Sequence, residues 1–270
     1  MARRPVPDRQ AQAAPRTGRK LGWLIVVGVL AALAFAIATL PAAVLSGSLG
    51  RAGLAATSLT GSIWSGRADG LAWRGAPLGD ATWRVVPGEL LRGRIAGDVN
   101  LRRTDGSVAT QVFSTFGGEV RLAATHIDLP VEALAALPIG VPKGWRGRVS
   151  ANLDELVLVA GWPTSLRGTL TMQDLVAPPP RNAIVGSYDV VMPDPQGAAA
   201  GGNELAGRVT DREGPFSVDA RLTLSRDRSF LLEGTLAPRG AVPPELERSL
   251  QLLGPPDAAG RRPFSVSGTL

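Results

Sequence analysis

From Leu21 to Leu40 the chain runs without a charged residue, and Thr39 is the only polar side chain near either end. At about 1.5 Å of helical rise per residue, twenty such residues span roughly 30 Å, the hydrocarbon thickness of a bilayer. Pro41 follows at once and would stop a helix at the interface. The pattern predicts a single transmembrane helix over residues 21–40, with Leu21 and Leu40 as its ends. A cleaved signal peptide is the alternative, because Ala34, Ala36 and Ala38 offer small-residue spacing. The apolar run is longer than the usual signal-peptide core of about 7–15 residues. Either reading carries the remainder across the same membrane.

Beyond a small-residue linker at 41–58 the period falls to two. Leu71 and Trp73 share one strand face, and Ala81, Trp83 and Val85 share another. Ile95, Gly97, Val99 and Leu101 alternate with Ala96, Asp98, Asn100 and Arg102, the mark of a half-buried strand. Turns are expected at 75–79 and 87–93, and strands at 108–116 and 119–127 joined through Gly117 and Gly118. Strands at 146–159 and 165–176 should meet through Gly161, Trp162 and Pro163. Further strands are expected at 183–191, 203–210, 216–225, 229–236 and 264–270. Pro130 opens a short helix at 130–137, and a second is expected at 245–253. Residues 178–180, all proline, make a stiff break that could divide the domain near 178–183, and 193–202 reads as a loop. Gly-Thr-Leu recurs at Gly168, Gly234 and Gly268, and Gly-Arg-Val or Gly-Arg-Ile at Gly93, Gly147 and Gly207. These repeats are expected at strand starts after turns.

Roughly a dozen strands, two short helices and no βαβ rhythm predict an all-β fold. One large curved antiparallel sheet or half-barrel fits best, preceded by the transmembrane helix. One face of the strands is apolar and the other polar. Aromatic residues are only 5% of the chain, too few for the girdles of a membrane barrel.

The formal charge of +6 suggests nucleic acid until it is located. Arg3, Arg4, Arg9, Arg16, Arg19 and Lys20 face only Asp8 in the first twenty residues, so this polar tail, expected to be disordered, holds all but one of the excess charges. A cluster of cations on one side of an apolar helix is a positive-inside signal: tail in the cytoplasm, C-terminal region exported. No basic stripe with interleaved aromatics points to nucleic acid. Cysteine is absent and His126 is the single histidine, which removes disulfides and thiolate metal sites and nearly removes His-based metal sites and triads. No cofactor and no metal are expected.

The stretch from Gly61 to Gly93 carries a resemblance. Gly61-Ser62-Ile63-Trp64-Ser65-Gly66, then Gly79-Asp80-Ala81-Thr82-Trp83-Arg84-Val85-Val86-Pro87, then Leu90-Leu91-Arg92-Gly93 resembles the opening of the type II secretion system protein N family. At the other end, Leu253-Gly254-Pro255-Pro256-Asp257 through Gly260-Arg261 to the strand containing Gly268 is similar to the family's close. Residues 102–240 match only in character. The resemblance implies a non-catalytic inner-membrane component of the machine that exports folded proteins across the Gram-negative outer membrane, anchored by one helix with its domain in the periplasm. The partners it implies are other secretion components, the inner-membrane platform or the secretin. A weaker likeness, to AsmA-like envelope proteins, implies lipid bound on an apolar sheet face.

Individual residues have plain readings beside these. Trp64, Trp73 and Trp83 could form a docking surface, since Trp is enriched at interaction hot spots, but packing on the inner sheet face is the simpler expectation. Asp154 and Glu155 are adjacent, so a strand points them to opposite faces and they cannot work as an acid–base pair. His126 precedes Asp128 closely enough for a contact, with no serine in an elbow context to complete a triad. Gly201 and Gly202 have no following lysine or helix to make a phosphate cradle. An enzyme is not expected.

Overall fold

The computed structural model describes residues 35–36, 39–135, 143–196, 204–240, 250 and 253–269. The chain divides into two compact units, residues 1–40 and 41–270. Of the first, Thr39 is tied back to the Phe35 carbonyl by its N–H at 3.0 Å and its hydroxyl at 2.9 Å, the spacing of an α-helical turn. The remainder of the expected transmembrane helix, and the basic tail, lie outside the described residues. No helix among the described residues is long and apolar enough to cross a membrane.

The second unit begins with a 3-10 turn (Ala42–Leu45) and a short helix α1 (Ser46–Arg51). Fourteen strands follow: β1 (Leu54–Ala55), β2 (Ser58–Gly61), β3 (Ser65–Trp73), β4 (Ala76–Val85), β5 (Arg94–Arg102), β6 (Ser107–Thr115), β7 (Glu119–Pro130), β8 (Arg146–Val159), β9 (Trp162–Val176), β10 (Ile184–Met192), β11 (Glu204–Glu213), β12 (Phe216–Ser225), β13 (Ser229–Pro238) and β14 (Arg262–Thr269). From β3 to β14 each strand pairs antiparallel with the next, and β1 and β2 share the free side of β3. The all-β, single-sheet expectation is thus met. The sheet crosses the three prolines at 178–180 without a break, because Val176 pairs with Ile184. Among the described residues no pairing joins β14 to β1 or β2.

Alternation along each strand becomes two unlike faces. One cross-strand row runs Ala68, Ala81, Leu101, Val108, Ile127, Ala151, Leu170, Val190, Val209, Ala220, Gly234 and Phe264. The row behind it runs Thr82, Asn100, Ala109, His126, Asn152, Thr169, Val191, Arg208, Arg221, Glu233 and Ser265. Burial follows the first row. Val190, Met192, Val209, Phe216, Val218 and Ala220 form a core that Leu250 and Leu253 help cover. A second cluster gathers Val149 and Leu175 under Val131, which opens the short helix α2 (Val131–Leu134). On the polar face Arg121 meets Glu155 at 2.7 Å and Arg208 meets Asp219 at 2.6 Å. Such exposed pairs contribute at most about 1 kcal/mol each and act mainly to keep this face solvated.

Several local expectations are corrected. The β3–β4 turn is only Arg74 and Gly75, both at positive φ, so 76–79 belong to β4. The β8–β9 turn is Ala160 and Gly161, and Trp162 and Pro163 open β9. In each case a two-residue turn with left-handed backbone matches the twist of the hairpin it closes. Among the repeats, Gly93 does precede a strand, in left-handed conformation at the end of a 3-10 helix (Pro87–Arg92). Gly168, Gly207 and Gly234 instead sit inside β9, β11 and β13, where the neighbouring strand leaves no room for a Cβ. The 245–253 helix lies outside the described residues except for Leu250 and Leu253, and the 193–202 loop except for its start.

Candidate functional site

Three family-motif segments converge at the first hairpins. Gly61 and Gly66 pair across the β2–β3 tip, with Gly61 at φ +87°. Inside the tip the Ser62 hydroxyl accepts the N–H groups of Trp64 at 3.3 Å and Ser65 at 3.1 Å, and Ser62 N–H donates to the Ser65 carbonyl. This satisfies backbone groups that the tight turn would otherwise leave bare. Trp83 on β4 pairs with Gly66 and donates its indole N–H to the Ile63 carbonyl at 3.1 Å. A Cβ on Gly66 would overlap that indole. Val85 N–H donates to the Trp64 carbonyl at 2.6 Å. Gly79, at φ +101°, lies against the backbone of Arg102 on β5. Pro87 opens the 3-10 helix, where a missing N–H costs nothing, and Leu90 is half-buried beneath it. Glu89 is held below the usual carboxylate range, first by the hydrogen bond from Arg94 and then by that from Arg92.

None of Trp64, Trp73 and Trp83 is fully buried, so inner-face packing is only half met. Trp73 donates to the Ala52 carbonyl at 3.1 Å and carries the Arg74 guanidinium over its ring at 5.1 Å. The Trp73 and Trp83 indoles tie β3 and β4 to the chain entering them and to the β2–β3 tip.

The C-terminal motif is likewise a closed turn. Asp257 accepts the N–H groups of Ala259 at 2.9 Å and Arg261 at 2.8 Å on one oxygen and the Arg261 guanidinium at 3.1 Å on the other. Gly260 takes φ +75° to complete it. Gly254, at φ +82°, offers its carbonyl to Arg262. Gly268 on β14 lies beneath the Phe230 ring, which a Cβ would approach to 2.7 Å. Two of the motif glycines are therefore covered by an aromatic from the adjoining strand, the device that compensates a missing side chain in a sheet. Gly207 under Met192 does the same without an aromatic.

His126 is exposed and hydrogen-bonds Asn152 at 2.7 Å, while Asp128 instead bonds Arg148 at 2.8 Å and lies 3.4 Å from the Ser150 hydroxyl. The contact that the spacing of His126 and Asp128 allows is not made, because the ladder sets Asn152 opposite His126 and Ser150 opposite Asp128. Glu155 is occupied by Arg121. Among the described residues no group of His, Asp and Glu could hold a metal ion.

Hollows on opposite faces of the sheet differ in character. One of about 610 Å³ lies mainly over the polar face, between Arg84, Asp98, Asn100 and Gln111. The other, about 430 Å³, lies on the apolar face over β7 to β12, with Leu153, Leu156, Leu166, Leu170 and Met192 among its walls. Sequence reasoning named the apolar face but not this hollow, which depends on residues from five strands meeting at one depth.

The type II secretion system (T2SS) protein N family model matches residues 52–265. The type II secretion system protein N of Vibrio cholerae is 26% identical over 227 residues, covering 81% of this chain and 86% of that protein. The protein of the same name from Aeromonas hydrophila is 24% identical over 220 residues, covering 78% of this chain and 83% of its own. No solved structure matches the chain at significance. The paired hairpins at one end, the Asp257 turn at the other and a match spanning nearly all the sheet between them lead to one assignment: this chain belongs to the type II secretion system protein N family.

Proposed function

We propose that the chain is an inner-membrane-anchored periplasmic component of a type II secretion system, acting through protein contacts and not through catalysis. The family match over 52–265 carries this reading. The apolar run before Pro41 and the cations before that supply the anchor and its orientation. The contact surface is the outer edge of β14, which pairs only with β13 among the described residues. An unpaired strand offers a ready ladder of N–H and C=O groups to a partner strand. The partner is another secretion component, of the inner-membrane platform or the secretin. A photo-crosslinker at Ser265 or Ser267, in cells carrying the whole system, tests this. Adducts with a secretion component are expected; adducts confined to unrelated envelope proteins would reject the reading.

The 430 Å³ apolar hollow favours a second reading, a bound lipid chain. Its walls come from strands alone, and its volume lies within the range of small-molecule sites, about 300–1,000 Å³. Native mass spectrometry of the full-length protein released from detergent would reveal a copurifying lipid. A clean protein mass would reject it.

A further inference from the structure

The two ends of the sheet differ in chemistry. One end carries the β2–β3 tip, the β4–β5 connection and the β6–β7 and β8–β9 turns. There Leu91 is 93% exposed and Phe116 78% exposed, with Val86, Ile95 and Val159 also open to solvent. At the opposite end, among the described residues, Ile184 is the one large apolar side chain so exposed. Successive turns on one end of a meander are two strands apart, or about 10 Å. Leu91, Phe116 and Val159 therefore form a row of apolar tips along one rim, not scattered exposures. An apolar row of this kind on a folded domain marks a contact surface.

The chain itself indicates what covers it. Pro41 bridges Ser62 in the β2–β3 tip, so the second unit begins at this same rim. Leu40, bonded to Pro41, ends the twenty-residue apolar run. Just after it, Val44 in the 3-10 turn is 59% exposed. Charged groups share the rim: Arg92 beside Leu91, paired with Glu89 at 2.6 Å, and Arg226 and Arg228 on either side of Asp227 in the β12–β13 turn, the three arginines all exposed. Apolar tips flanked by arginines at the point where a membrane-length segment ends suit a phospholipid headgroup layer, with the tips in the acyl boundary and the guanidinium groups on phosphates.

We propose that this rim docks on the membrane surface, so that the domain is held to the bilayer by its hairpin ends as well as by its tether. The proposal rests on reading residues 21–40 as an anchor. The chain has no cysteine, so single nitroxide labels can be placed in the full-length protein. L91C, F116C and V159C would be compared with R181C, exposed at the opposite end, and with A32C inside the apolar run. The protein is reconstituted in nanodiscs of phosphatidylethanolamine and phosphatidylglycerol. Collision with oxygen, which concentrates in lipid, is measured against collision with a water-soluble nickel chelate. The oxygen-to-nickel ratio at positions 91, 116 and 159 is expected to exceed that at 181 several-fold. Equal ratios at all four overturn the docking, and a lipid-like ratio at 32 in the same series leaves the anchor standing. Labels shielded from both reagents would mark a protein interface and overturn it equally. A water-like ratio at 32 would remove the anchor and the docking together.

Discussion

The indole of Trp83 occupies the space a side chain on Gly66 would need, one strand away, and its N–H closes on the Ile63 carbonyl beyond it. Adding a methyl at position 66 must move both the indole and the β2 backbone, since the new Cβ would overlap the ring and also lie 2.7 Å from Thr60 O. G66A should lower stability by about 1–3 kcal/mol, the range for overpacking. W83A should cost a similar amount through lost packing. The double variant should cost less than the sum, because removing the indole makes room for the methyl. Chemical denaturation of the four proteins measures this cycle, and strict additivity would contradict it.

Asp211 sits opposite Tyr188, with a side chain only 5% exposed. One oxygen accepts the Val218 N–H at 2.7 Å; the other makes no hydrogen bond of good geometry and is held by the Arg239 guanidinium at 2.6 Å. Burial, and secondarily the Asp211 charge, push the Tyr188 phenol up to about 12. D211A leaves a buried N–H without a partner and should destabilise by about 1–3 kcal/mol. R239A should also destabilise, since it leaves the buried Oδ2 without its countercharge. The phenol of Tyr188 should titrate closer to its ordinary value in D211A, read by its ultraviolet absorbance at high pH.

Asp257 is held below the usual carboxylate range chiefly by the Arg261 N–H, then by the Ala259 N–H and the Arg261 side chain. A carboxyl whose folded value is depressed contributes stability above its unfolded value of about 3.9, and loses it as pH falls through the lower folded value. The Ala259 and Arg261 amides should therefore stay protected as pH is lowered to about 4 and lose protection only below that. D257N should weaken their protection at neutral pH. Amide exchange followed by nuclear magnetic resonance reads both.

A charge at the half-exposed Val266 should spoil strand addition while sparing the sheet. V266K is expected to change stability by less than about 0.5 kcal/mol, as exposed substitutions do. It should abolish the adducts formed through Ser265. Unfolding of the variant, or undiminished crosslinking, would tell against the β14 edge as the contact.

Much of this sheet is legible from alternation alone. Val218, Ala220, Leu222 and Leu224 announce β12 because only a two-residue period puts them on one face, and the structure buries that face. Gly117 and Gly118 announce a hairpin for the same reason that they make one. Glycine inside a strand is where local reading stops. Gly207 and Gly93 open the same Gly-Arg-Val or Gly-Arg-Ile triplet, yet one lies under Met192 of the adjoining strand and the other ends a 3-10 helix. What separates them is the residue that arrives from across the ladder, and no local window contains it. The same limit applies to Trp83, whose role is set by Gly66, and to the apolar rim, whose members are up to 73 residues apart between Val86 and Val159. Pro163 was expected in a turn; it is tolerated in β9 at an irregularity opposite Leu158.

A sheet in which almost every strand pairs with its predecessor has short loops to close at most steps, apart from the longer connections after β7, β10 and β13. Pairings of low sequence separation form quickly, because little chain entropy is lost before each is rewarded. A polypeptide made available in order from its N-terminus can then add one hairpin at a time to a growing edge, never waiting for a distant segment to arrive. The same arithmetic makes the length of the sheet an adjustable quantity: hairpins could be gained or lost in pairs of strands while the first and last motifs, and the fold between them, stay as they are.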